Sequence, residues 1–346
     1  MILMNSKLKV LLTGASGTVG YEILKQLHQQ KDRFEITVFD LYNRRTRKLF
    51  SKFKKDIHFV YGNITNNEDI ASVCVDKDFV IHIAAIIPPV ADDKPELAHK
   101  VNTIGTMNLV RNLENLSPNA FFLYSSSISV YGDRLINPSI YINDPILPSL
   151  GDEYAKTKIA AEEIITTSNL KWSIFRLTAI MGSHKISKLM FHMPLATSME
   201  ICTPADTGRA FVNALSHKDE ISGKLFNLGG GESCRTTYQN FLHRSFKIFG
   251  LGKVDFPANS FAEHNFHCGF YQDGDELEKI LKFRQDNLES YYKNEESKVS
   301  KLQRAATMLF KTIIKNRLIK QSEPLEAIRN FNQALINRFF KKTNTI

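Results

Sequence analysis

Leu8-Lys9-Val10-Leu11-Leu12-Thr13-Gly14-Ala15-Ser16-Gly17-Thr18-Val19-Gly20 decides the fold. The first half is an apolar run that stops at a glycine-rich turn. A helical pattern follows at once, with Val19, Ile23, Leu24 and Leu27 on one face of Thr18–Gln29. A strand, a GxxGxxG turn and a helix in that order suit a dinucleotide for physical reasons. Gly14 allows a tight turn with unusual dihedrals. Gly17 lets the main chain approach a pyrophosphate with no Cβ in the way. Gly20 permits close packing of helix on strand. The diphosphate then sits at the positive end of the helix, on main-chain amides of the Ser16, Gly17, Thr18 and Val19 stretch.

Asp40 lies twenty positions after Gly20. A carboxylate at the end of the second strand accepts hydrogen bonds from both adenosine ribose hydroxyls. It would repel a 2′-phosphate, so NAD is the expected cofactor. Arg44, Arg45, Arg47 and Lys48 keep NADP as the alternative, unless they form a solvated helix face.

Further along, strand and helix patterns alternate. Strands are expected at Leu8–Thr13, 35–39, 57–61, 78–83, 120–125 and Lys171–Leu177, with helices between them, notably 95–115 and 152–167. That alternation implies an α/β fold with a doubly wound parallel sheet, the Rossmann arrangement. After a broken, methionine-rich stretch the pattern returns with a helix at 206–217, the strand Lys224–Leu228 and a helix at 236–249. The expected organisation is a cofactor-binding domain over 1–180, to which 204–228 returns. A small substrate-binding part would comprise 181–203 and 229–290, and a basic helical tail 298–346.

Tyr154-Ala155-Lys156-Thr157-Lys158 places Tyr154 and Lys158 four apart, on one helix face. An ammonium there would stabilise a phenolate and bring the phenol toward working pH. A phenol so tuned can move the proton of a substrate hydroxyl while a hydride moves to or from a nicotinamide. The preceding strand ends in Ser125-Ser126-Ser127, followed by Ile128-Ser129-Val130-Tyr131-Gly132.

In this ordered set the sequence resembles the extended short-chain dehydrogenase/reductase family, in the branch of NAD-dependent epimerases and dehydratases. The resemblance covers about residues 7 to 285. It implies that Ser127, Tyr154 and Lys158 are catalytic, and that Asn102 steadies the local backbone. It puts Asn63 and Ile64, in Gly62-Asn63-Ile64, near the adenine. It puts Ala84 and Ala85, in His82-Ile83-Ala84-Ala85, beneath the cofactor, with Ser125, Tyr154 and Lys158 also against it. It further implies a small-molecule substrate and a homodimer.

The departures bear on the substrate. Family dehydratases carry acidic residues just after the catalytic hydroxyl residue, whereas Ile128 and Ser129 stand here. Sugar-nucleotide epimerases have a substrate-binding Asn where Ala179 stands. Only 23 residues separate Gly182 from Asp206. Among them Met190, Phe191, His192, Met193 and Pro194 form a mostly apolar set, read as core. Two substrate classes stay open, a sugar or nucleotide sugar and a smaller apolar alcohol or ketone. A non-catalytic NAD(H)-binding redox sensor is the alternative to an enzyme.

The net charge of +9 belongs to the tail, where residues 298–346 hold eleven Lys/Arg and two Glu. The rest balances, so the charge says nothing about the cleft. Leu302, Ala305, Ala306, Leu309, Phe310, Ile313 and Ile314 recur at helical spacing among Lys301, Arg304, Lys311, Lys315 and Arg317. Leu325, Ile328, Phe331, Leu335, Ile336 and Phe339 follow beyond Pro324. The tail is expected to be a pair of packed helices or a peripheral contact with anionic lipid. No motif accompanies the charge that would suit nucleic acid.

Cys74, Cys202, Cys234 and Cys268 form no CxxC pair and read as reduced thiols of a cytoplasmic protein. Cys234 is expected near the substrate pocket, though not as a nucleophile. No metal is expected, because His184, His192, His264 and His267 are irregularly spaced. The N-terminal stretch lacks the features of a signal peptide.

Overall fold

The computed structural model describes residues 7–182 and 188–341. His184, the first six residues and residues 342–346 lie outside the described residues. Seven parallel strands make the central sheet: β1 (Leu8–Thr13), β2 (Phe34–Asp40), β3 (His58–Tyr61), β4 (Phe79–His82), β5 (Phe121–Ser127), β7 (Lys171–Leu177) and β10 (Lys224–Leu228). The two-residue β6 (Ser139–Ile140) pairs with β12 (Phe270–Tyr271). β8 (Ala179–Ile180), β9 (Ser198–Cys202) and β11 (Arg235–Thr237) form a small separate sheet.

The order β10-β7-β5-β4-β1-β2-β3 runs outward in both directions from β1 and β4. Between those two strands the order reverses, and a crevice opens at their carboxyl ends. Successive side chains of a strand point to opposite faces. Val10 and Leu12 therefore join one core with Ile23, Leu24, Leu27, Phe175 and Phe211. Leu11 joins the other, with Val80, Leu109, Leu113, Phe122 and Ile165. The strands are buried on both sides, which is why they read as continuous apolar runs. Each large side chain so buried stabilises the fold by about 1.5–3 kcal/mol.

A third core lies outside the sheet. Phe191, Met193, Met199, Phe241, Leu242, Tyr291 and Tyr292 pack there, so Met190, Phe191 and Met193 are core as expected, whereas His192 of the same set lines the cleft. Helix Leu288–Ser297 and Leu318 of the tail also close on it.

Two elements differ from their sequence reading. The single helix expected over 95–115 is three pieces: Pro95–Ala98, a wider π-type turn at His99–Ile104, and Gly105–Leu116. The tail is three helices, Lys301–Ile319, Glu323–Arg329 and Gln333–Phe339, because Ser322 and Asn332 each cap a new start.

Candidate active site

A cleft of about 570 Å³ runs along the carboxyl ends of β1, β2, β4, β5 and β7. Gly14, Ser16, Gly17, Thr18 and Val19 line one end, with Asp40, Asn63 and Ile64. Ala84, Ala85 and Ser125 line its middle, and Ser127, Tyr154 and Lys158 stand beyond them. The tertiary fold thus brings every expected site residue except Asn102 to one surface.

At the glycine turn, Gly14 has φ +75°, and a Cβ there would stand 2.6 Å from the Ala84 main-chain nitrogen. A Cβ on Gly20 would stand 2.1 Å from the Gly14 oxygen. Neither position admits a side chain. The following helix, Thr18–Gln29, has no side-chain cap at Gly17. Its first-turn amides therefore remain for an anion.

Asp40 is tied into the same turn. One carboxylate oxygen accepts from the Ser16 amide at 2.8 Å, and the other from the Ser16 hydroxyl at 3.0 Å and the Leu41 amide at 2.8 Å. Burial raises its pKa against the pull of those bonds. A carboxylate has about four acceptor positions, which leaves room for a ribose hydroxyl. Arg44, Arg45, Arg47 and Lys48 do not line the cleft and are exposed on helix Arg44–Phe50. The residues present thus fit an adenosine ribose better than its 2′-phosphate.

Tyr154 and Lys158 sit on helix Glu153–Thr166, whose start is capped by Asp152 accepting from the Ala155 amide at 2.8 Å. The Tyr154 phenol is hydrogen-bonded to Ser127. Lys158 is buried, donates to the Ser125 carbonyl at 2.7 Å and lies 5.6 Å from the centre of the Tyr154 ring. Burial pushes its pKa down to about 7, against the pull of Glu162. The expected lowering of the Tyr154 pKa is not found. Burial raises it, the Ser127 bond pulls it down and Asp152 pushes it up again. The reason is geometric, since the ammonium is spent on a carbonyl rather than on the phenol oxygen.

Asn102 is buried behind the cleft wall. Its amide pairs with both main-chain groups of Ile86, accepting at 2.7 Å and donating at 2.9 Å, and donates to Thr157 at 2.9 Å. It ties the loop after β4 to the helix of Tyr154.

Beneath the cleft lies His82, fully buried between two threonines. Its Nδ1 is 2.7 Å from the Thr13 hydroxyl and its Nε2 2.9 Å from that of Thr106. Thr106 donates its own proton to the Asn102 carbonyl at 2.6 Å. Thr106 must then accept from Nε2–H, and Nδ1 accepts from Thr13. Burial, then the charge of Lys158, pushes the His82 pKa down to about 3.

The far end of the cleft was not legible in the sequence. Arg338 and Phe339 of the last tail helix line it, with His192, Asn265 and His267. His192 pairs with Glu323 at 2.8 Å and packs on Phe339 at 4.9 Å between ring centres. His267 pairs with Asp152 at 2.7 Å. Asp92 also faces the cleft and accepts from the Tyr154 amide. Cys234 does not line the cleft; it is buried, and its thiol faces the Asp286 carbonyl at 3.7 Å.

Residues 11–176 match the 3-beta hydroxysteroid dehydrogenase/isomerase family. The chain is 25% identical over 163 residues to mouse 3 beta-hydroxysteroid dehydrogenase type 7, covering 46% of this chain and 44% of that protein. It thus spans about half the length of the curated relatives it matches. Among solved structures, a short-chain dehydrogenase/reductase superfamily protein from Agrobacterium tumefaciens with bound NAD has a TM-score of 0.64 at 17% identity, over 88% of this chain and 99% of that one. The dTDP-glucose 4,6-dehydratase of Streptomyces venezuelae, with NAD bound, has a TM-score of 0.69 at 19% identity, over 84% and 97%. The chain thus shares the fold of these structures, and a segment of just under half of its length is similar to the 3-beta hydroxysteroid dehydrogenase/isomerase family.

Proposed function

We propose that the chain binds NAD and oxidises or reduces a secondary alcohol or ketone, with Tyr154 as the general acid and base. One observation carries this reading: Ser127, Tyr154 and Lys158 open onto the same cleft as the glycine turn and Asp40. Bound NAD supplies the hydride acceptor or donor. Asp40 and the helix start at Thr18 hold its adenosine and diphosphate end. Ser127 orients the reacting oxygen and shares the proton of the Tyr154 hydroxyl. Lys158, whose pKa lies at about 7, is poised to place or withdraw a positive charge beside Tyr154 near neutrality. A pure NAD(H) sensor would need no such set.

The substrate wall favours an apolar body. Ile86, Ile87, Pro88, Leu150, Leu189 and Phe266 line it. The match of residues 11–176 to a hydroxysteroid dehydrogenase family points the same way. Ile128, Ser129 and Ala179 speak against dehydration or epimerisation of a nucleotide sugar. The organisation into a cofactor domain, a small substrate part and a tail belongs to this proposal, amended by the tail's share in the cleft. So does assembly as a homodimer, which light scattering tests.

The test is NADH fluorescence of the purified protein with apolar alcohols and ketones in one arm and nucleotide sugars in the other. Turnover is expected in the apolar arm. Tyr154→Phe should lower kcat by about 10²–10⁴ and leave NAD binding intact. Undiminished turnover in that variant refutes the mechanism.

A further inference from the structure

The tail helix Lys301–Ile319 turns two unlike faces to its surroundings. Ile314 and Leu318 point into the third core. Lys315 on the same side donates to the Lys253 carbonyl at 2.8 Å and pairs with Asp255. The helix lies close on the chain at Gly250, where a Cβ would stand 2.8 Å from the Arg304 oxygen. Its packed side is therefore settled.

The opposite side carries Leu302, Ala306, Leu309 and Ile313, spaced four, three and four apart, which is one stripe of a helix. Leu302 is 81% exposed, Leu309 77% and Ile313 67%. Met308 and Phe310 beside them are more than half exposed. A stripe of that kind normally faces a core, and a contiguous exposed one marks an interaction surface.

The charge around it is of one sign. No Asp or Glu occurs from residue 301 to 319. Among the described residues, Lys301, Arg317 and the adjacent Lys320 make no ion pair, unlike Arg304 and Lys315, while Lys311 lies toward Asp255 on the packed side.

We propose that this face docks on an anionic lipid surface. The apolar stripe would enter the boundary between headgroups and acyl chains, and the free ammonium and guanidinium groups would meet lipid phosphates. Charge argues against a second copy as the occupant, since two such faces would set like charges against each other along their rims. The helix leads through Glu323–Arg329 into the last helix, Gln333–Phe339, which carries Arg338 and Phe339, so the lipid contact is joined along the chain to the element that walls the cleft. The proposal does not depend on the reaction assigned to the site.

The full chain is sedimented with vesicles of phosphatidylcholine alone and of phosphatidylcholine mixed with phosphatidylserine. Pelleting is expected with the anionic vesicles, weakened by salt. Leu309→Glu combined with Ile313→Glu should reduce it by about tenfold or more. Both positions are exposed, so the variant should keep its Tm and its turnover. Absence of pelleting with the anionic vesicles overturns the proposal, as does pelleting that the double variant leaves unchanged. A dimer in light scattering that the same variant dissociates gives this face to a second copy and also overturns it.

Discussion

At the residue scale the two ends of the cleft rest on single side chains whose protonation is set by burial. Asp40 stays bound to Ser16 and Leu41 although burial raises its pKa. Replacing it by Ala removes the acceptor proposed for the ribose. NAD should then bind roughly ten- to a hundredfold more weakly, as expected for a lost hydrogen bond to a charged group. NADP binding should fall less, and titrations with both cofactors check this. His82 sets an acid limit. Its folded pKa is about 3, against an ordinary value of 6.5. Between those values the unfolded chain holds the extra proton, so its stabilising contribution is complete above about 6.5 and is lost as the pH falls toward about 3. His82→Asn should flatten the fall of Tm over that window. Equal pH profiles for the two proteins would remove His82 from the account.

At the element scale, polar ties align the strand ends with helix Glu153–Thr166, which carries Tyr154 and Lys158. The chain Thr13–His82–Thr106–Asn102 runs from β1 through β4 to the π-type turn. From there Asn102 reaches Thr157, which donates to the Tyr154 carbonyl at 2.7 Å. A second tie lies behind it. Glu162 of the same helix meets Arg176 of β7 in a bidentate pair at 2.7 and 3.0 Å, and Arg176 donates to Tyr131 at 2.8 Å. Each unsatisfied buried partner costs about 1–3 kcal/mol. Asn102→Ala strands Ile86 and Thr157 together, so a loss of roughly 2–4 kcal/mol is expected in denaturant unfolding. A loss below 1 kcal/mol in that assay would mean that Ile86 finds another partner. The sequence showed the glycine turn, the serines and the YxxxK pair, since each depends on neighbours in the chain. It did not show the π-type turn, whose Asn102 pairs with Ile86, sixteen residues away in the chain.

At the scale of the whole molecule the tail closes the site. Lys188 pairs with Asp93 at 2.6 Å and with Glu323 at 2.8 Å, and His192 holds the same Glu323. These pairs seat the last two helices so that Arg338 and Phe339 face the cleft. Arg338 stands near Asp92 and Asp152: burial raises the Asp92 pKa against the pull of Arg338, and at Asp152 burial is outweighed by His267, the Ala155 amide and Arg338 together, which lower it. Arg338→Ala and Phe339→Ala should each raise KM for substrate roughly tenfold, with NAD affinity unchanged. A change in NAD affinity and not in KM would place the tail at the cofactor end instead. By itself the sequence determined the parallel sheet, the place of the glycine turn and the order of Ser127, Tyr154 and Lys158. Those follow from periodicity, turn chemistry and spacing within a few residues. Only the tertiary structure decided that residues 338 and 339 meet residue 192 across the far end of the cleft. It also decided that Lys158 donates a hydrogen bond to the Ser125 carbonyl and that the apolar stripe of the tail faces outward. Such contacts join segments distant in the chain, and no local pattern encodes which face of an amphipathic helix will find a partner.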